Sequence, residues 1–82
     1  MDQLINKIIE IIEISNKSQY VNKYLGFIPS ECNKIIIDLI ENKTKNICIH
    51  HREFKKWIEK YEFKENLNNK IIEAMAIMKE IG

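Results

Sequence analysis

The sequence predicts an all-α or mainly α fold: a compact four- to five-helix domain with a central helix-turn-helix and at most one short strand. Three observations carry that prediction. The 82 residues include two Gly and one Pro, so nearly all of the chain must lie in regular elements or tight connections. Ile occurs eighteen times, which supplies aliphatic mass to a chain of a size that buries only about 60–65% of its unfolded surface. The apolar residues recur mostly at three- and four-residue steps, the helical period. At 45% hydrophobic and 30% charged, the composition is that of a single globular domain rather than a disordered chain.

The first helix is expected over residues 2–14, with Asp2 as its N-cap and Leu4, Ile5, Ile8, Ile9 and Ile12 at helical spacing. Ile11 and Ile14 widen the stripe, which places this helix at the centre of the core or against a second copy. Asn16-Lys17-Ser18 ends it, and Ser18 opens a short helix to about Leu25 with Val21, Tyr24 and Leu25 apolar. Gly26 follows, where a turn through positive φ costs little. Pro29-Ser30-Glu31 is a helix-start signal with Ser30 as cap. The helix it opens runs to about Glu41, with Cys32, Ile35, Ile36, Leu39 and Ile40 inward.

The polar stretch from Asn42 to Asn46 is a connection. Ile47-Cys48-Ile49 is short and rich in β-branched residues, which makes it the one candidate strand. His51 or Arg52 then opens a helix with Phe54, Trp57, Ile58 and Tyr61 in one stripe and Lys55, Lys56, Glu59 and Lys60 opposite. The last helix is expected over 66–81. There Leu67, Ile71, Ala74, Met75, Met78 and Ile81 follow near-heptad steps suited to packing along another helix, in the core or in a homodimer.

Several function classes are disfavoured. No apolar run reaches the ~18–20 residues of a membrane span, and Glu10 and Glu13 interrupt the N-terminal stretch, which lacks a cleavage pattern. Two cysteines imply no disulfide framework, so a reduced, cytoplasmic setting is expected. Cys32, Cys48, His50 and His51 do not have the paired short spacing of a closed zinc site, and Cys32 falls on an apolar face. There is no Gly-rich phosphate loop or nucleophile–base–orienter set, so no enzyme activity, cofactor or metal is expected. The net charge of +1 hides an uneven distribution: residues 43–60 carry +4, while 1–42 and 61–82 carry −2 and −1.

Leu25, Gly26, Phe27, Cys32 and Ile35, supported by Val21, have the apolar pattern that a helix-turn-helix needs around its tight turn. The segment from Ile47 through His50, His51 and Arg52 to Phe54, Lys55, Lys56, Trp57 and Ile58 then matches a wing strand, basic residues and an aromatic helix. Over residues 18–61 the chain thus resembles excisionase-like and MerR-like winged helix-turn-helix DNA-binding domains. The resemblance implies double-stranded DNA as partner. It assigns base and phosphate contacts to Ser30, Glu31, Asn33 and Lys34 at the start of the recognition helix. Lys43, Lys45, His51, Arg52, Lys55 and Lys56 become backbone-positioning contacts. The same recognition helix is expected to expose Glu31, Asp38 and Glu41, with Lys34 as its one cation.

Two functions follow as expectations. One is a small DNA-binding regulator or accessory protein of a phage or mobile element, dimeric through the first helix, the last helix or both. The other is a non-enzymatic helical interaction protein, such as a phage-type inhibitor that binds and blocks a host protein.

Overall fold

A computed structural model describes residues 2–16 and 27–81. They form four α-helices: α1 (Asp2–Ser15), α2 (Phe27–Ile40), α3 (Ile47–Lys60) and α4 (Glu65–Ile81), with a 3₁₀ turn at Thr44–Asn46 leading into α3. No strand occurs among the described residues. The fold is therefore all-α, as the periodicity predicts. The short helix expected over Ser18–Leu25 and the turn at Gly26 lie outside the described residues.

One core runs through all four helices. Leu4, Ile8, Ile11 and Ile14 of α1 meet Ile28, Cys32, Ile35 and Leu39 of α2, Ile47, Phe54 and Trp57 of α3, and Leu67, Ile71, Ala74 and Met78 of α4. The wide stripe on α1 is explained inside this chain, because α1 packs against both α2 and α4. Cys32 is a core thiol; burial pushes it up to about 12, with the Glu31 charge adding to the effect. At that value it stays a neutral, unreactive apolar group.

α1 and α4 run antiparallel, and their ion pairs show the register. Lys7 Nζ lies 2.7 Å from Glu73 Oε1, and Lys70 Nζ lies 2.8 Å from Glu10 Oε2. As the chain advances three residues on α1, its partner retreats three on α4.

α2 ends in a Schellman motif. The Asn42 N–H donates to the Leu39 carbonyl at 3.2 Å, and the Lys43 N–H donates to the Asp38 carbonyl at 2.8 Å. Asn42 takes φ 60°, a left-handed conformation that Asn tolerates better than most residues.

Two boundaries depart from the sequence expectation. α2 starts at Phe27, so Pro29 lies in its first turn and Ser30 is an exposed residue within the helix rather than its cap. Ile47-Cys48-Ile49 is the first turn of α3, not a strand. The reason is packing: Ile47, His50, Phe54 and Trp57 are all buried and stand at helical steps, so Ile47 extends the core stripe that Phe54 and Trp57 begin. With no strand there, the wing implied by the resemblance is replaced by a 3₁₀ turn and the start of a helix.

Candidate functional site

Helices α2 and α3 carry every residue to which the resemblance assigned a contact, apart from Lys43 and Lys45 in the connection between them. The two helices are joined by a cluster built on His50. This residue occupies a core position on α3 with 6% of its surface exposed. Its Nδ1 is 3.1 Å from Glu31 Oε1 and its Nε2 is 2.6 Å from Asp38 Oδ2. Glu31 and Asp38 stand seven residues apart on α2, two turns along one flank, and the imidazole bridges the interval. Ionised carboxylates only accept hydrogen bonds, so only a doubly protonated ring donates to both. The His50 hydrogen bond holds the Asp38 carboxyl below its ordinary value against the opposing effect of burial, and Asn46 and Lys43 contribute in the same direction.

This geometry corrects the expectation for α2. Glu31 and Asp38 do not face outward as free acids; both are half-buried and directed at His50, and of the three predicted acids only Glu41 is exposed. Glu31 is therefore tied into the α2–α3 seam rather than presented to a groove. Ser30, Asn33 and Lys34 are exposed on the outer side of α2. Lys34 lies 3.8 Å from Glu31 Oε2. The same outer side carries Ile37 and Ile40, which are 52% and 71% exposed, so Ile40 does not face inward as its spacing predicts, and such apolar groups suit a protein surface better than a phosphate backbone.

The basic residues gather on α3. Arg52, Lys55, Lys56 and Glu59 follow i, i+3, i+4, i+7 spacing, and all four are exposed. Lys45 is exposed just before α3, and Lys60 at its end. Lys56 stands 3.7 Å from Glu53, whereas no ion pair of Lys45, Arg52 or Lys55 occurs among the described residues. Lys43 is engaged by Glu41 at 3.0 Å, which raises its pKa. His51 is half-buried on the α4 side of α3, where it lines a small apolar hollow with Cys48, Met78 and Lys79. The ten predicted residues thus divide into four on α2 with Lys34 as their one cation, four on α3 that include Arg52, Lys55 and Lys56, and Lys43 and Lys45 in the connection.

Sequence reasoning missed the role of His50, which entered it as part of the wing-like segment and as a discounted zinc ligand. Its signal was present: a His at the spacing of a core stripe needs polar partners, and Glu31 and Asp38 share a flank seven residues apart. No group of three or more His, Cys, Asp or Glu side chains suited to a metal ion occurs among the described residues.

A cleft of about 310 Å³ opens between the start of α2 and the second half of α3, lined by Phe27, Glu31, Glu53, Lys56, Trp57, Lys60 and Tyr61. Its rings are packed together. Phe27 meets Trp57 edge-on at 5.0 Å between centroids and Tyr61 at 5.2 Å, and Lys60 Nζ sits 5.4 Å from the Tyr61 ring. No helix among the described residues is long and apolar enough to cross a membrane. No protein-family model matches the chain, and comparison with curated proteins and with solved structures finds no match.

Proposed function

We propose that this chain is a small, non-enzymatic, cytoplasmic nucleic-acid-binding protein of the regulator or accessory type that phages and mobile elements carry, and that its contact surface is α3. The observation that carries this reading is the exposed row of Arg52, Lys55 and Lys56, continued by Lys45 and Lys60. Cations spaced along one helix face neutralise successive phosphates and release their counterions. The α2 positions Ser30, Asn33 and Lys34 take a secondary part, since their helix offers one cation and two exposed isoleucines. Glu31 is committed to His50. A homodimer through α1 or α4 would rest on Ile9 and Ile72, the large apolar side chains those helices leave exposed among the described residues.

Fluorescence anisotropy with a labelled DNA duplex at low and physiological salt tests this reading. The expected result is binding that weakens steeply with salt and is abolished by Lys55→Glu with Lys56→Glu, at unchanged thermal stability. Undiminished binding by that double variant removes α3 from the interface.

A second reading, a helical protein that binds and blocks a protein partner, is favoured by Ile37 and Ile40. Under it, affinity capture recovers a stoichiometric protein that survives nuclease treatment, and Ile37→Asp with Ile40→Asp releases that protein. Capture of nucleic acid alone counts against it.

A further inference from the structure

We propose that the cleft lined by Phe27, Trp57 and Tyr61 receives one unpaired nucleobase, so that the strand lying along α3 is single-stranded where it reaches the end of that helix. This inference rests on the reading of α3 as a nucleic-acid surface. The first ground for it is shape. The cleft measures about 310 Å³, at the lower end of small-molecule sites, and three aromatic rings line it. Their mutual contacts, 5.0 Å for Phe27–Trp57 and 5.2 Å for Phe27–Tyr61, and the packing of Trp57 on the core ring of Phe54 at 4.6 Å, hold the aromatic wall in place before any ligand arrives.

The second ground is edge chemistry. Glu53, and Glu31 through the Oε2 that does not meet His50, bring carboxylate oxygens that accept, and Lys56 and Lys60 bring ammonium groups that donate. A lone anion would meet two carboxylates there, and a lone cation two ammonium groups. A flat, neutral ring with amino donors and carbonyl or ring-nitrogen acceptors on its rim satisfies both kinds of group, and nucleobases have that pattern. The third ground is continuity. Lys56 belongs both to the cleft and to the exposed row with Arg52 and Lys55. A backbone held by that row therefore delivers its next base to the aromatic wall, the combination of basic track and stacking rings that single-strand binders use.

Trp57 is the chain's one tryptophan, so its emission reports on the cleft directly. The experiment titrates the full chain with short oligothymidylate, oligocytidylate and a blunt hairpin duplex of matched length. Single strands are expected to quench Trp57 and the duplex to leave it unchanged. Tyr61→Leu, which keeps apolar volume against Phe27 and Phe63, should weaken single-strand binding at least about fivefold with its helical circular dichroism retained. If that variant does not fold, Lys60→Glu at an exposed position should weaken single-strand binding more than duplex binding. Duplex binding without single-strand quenching overturns the cleft and leaves the α3 reading standing; binding of neither overturns both. Quenching by a short arginine-containing peptide and not by oligonucleotides overturns the proposal in favour of a protein side chain.

Discussion

The seam between α1 and α4 and the seam between α2 and α3 are both closed by oppositely charged side chains, but under different solvation. Along α1 and α4, Lys7, Glu10, Lys70 and Glu73 form a chain of long, flexible side chains, each 23–43% exposed. Beneath them the apolar faces of the two helices already interlock, so the charges decorate a contact that hydrophobic burial has made. Between α2 and α3 a rigid imidazole, 7% exposed at its side chain, sits between carboxylates that are 20% and 16% exposed. Water does little to replace a lost partner there. The lesson is that two ion-pair clusters differ in weight through desolvation and rigidity rather than through number.

The largest effect expected on breaking this contrast is that of His50→Ala. It leaves two carboxylates facing a cavity without the imidazole that bridges them, Asp38 keeping Asn46 as a donor, and should cost on the order of 2–3 kcal/mol in urea denaturation. Restoring Glu31→Gln and Asp38→Asn in the same chain should recover part of the loss by removing the stranded charges. A loss no larger than that of Lys7→Gln would make the seams equivalent.

Acidification comes next. The Lys70 hydrogen bond holds Glu10 below its ordinary value, the Lys7 hydrogen bond does the same for Glu73, and His50 does so for Asp38. A carboxyl whose folded-state value is depressed stabilises the fold above its unfolded value. That contribution fades as pH falls through the ordinary carboxylate range and is gone below the depressed value. Unfolding free energy should therefore drop between about pH 5 and pH 2. The drop should be shallower in His50→Ala, where Asp38 has lost the main cause of its shift; an identical slope would take Asp38 out of the account.

Salt should separate the seams further. Concentrated NaCl screens the more exposed α1–α4 pairs and leaves the more deeply set α2–α3 cluster largely intact. The cost of His50→Ala should thus persist in ~1 M NaCl. The smallest effect is that of Lys7→Gln, which should move the melting midpoint by no more than about 3 °C and less still in salt. A larger shift would mean that the α1–α4 charges set the register as well as line it.

Much of the fold was legible because it follows from period and punctuation. α1, α3 and α4 present Leu4, Ile8 and Ile11, Phe54 and Trp57, and Leu67, Ile71 and Met78 at steps that only a helix brings to one side. Ile47–Ile49 misled because β-branched side chains favour strands only where a pleated surface is there to receive them. Here the available surface was the core under α3, and burial of Ile47 made the segment helical.

The candidate site was legible in part, and for a similar reason. Exposed lysines on α3 are visible from alternation with the Phe54–Trp57 stripe, since their exposure is a local consequence of helix geometry. The role of Glu31 was not visible, because its partner His50 is nineteen residues away and no local pattern joins them. The aromatic cleft likewise needs Phe27 and Tyr61 to meet across two helices.

The sequence by itself determined that this chain is helical, which faces of α1, α3 and α4 are apolar, that Cys32 is a core residue, and that positive charge collects over residues 43–60. These properties depend on neighbours within a turn or two. Only the tertiary structure decided that Glu31 and Asp38 turn inward on His50, that Ile47 joins the core, and that Ile37 and Ile40 remain exposed on α2. Each of these depends on how helices dock, and docking is chosen by the total apolar burial and polar pairing of the whole domain rather than by any segment's own preference.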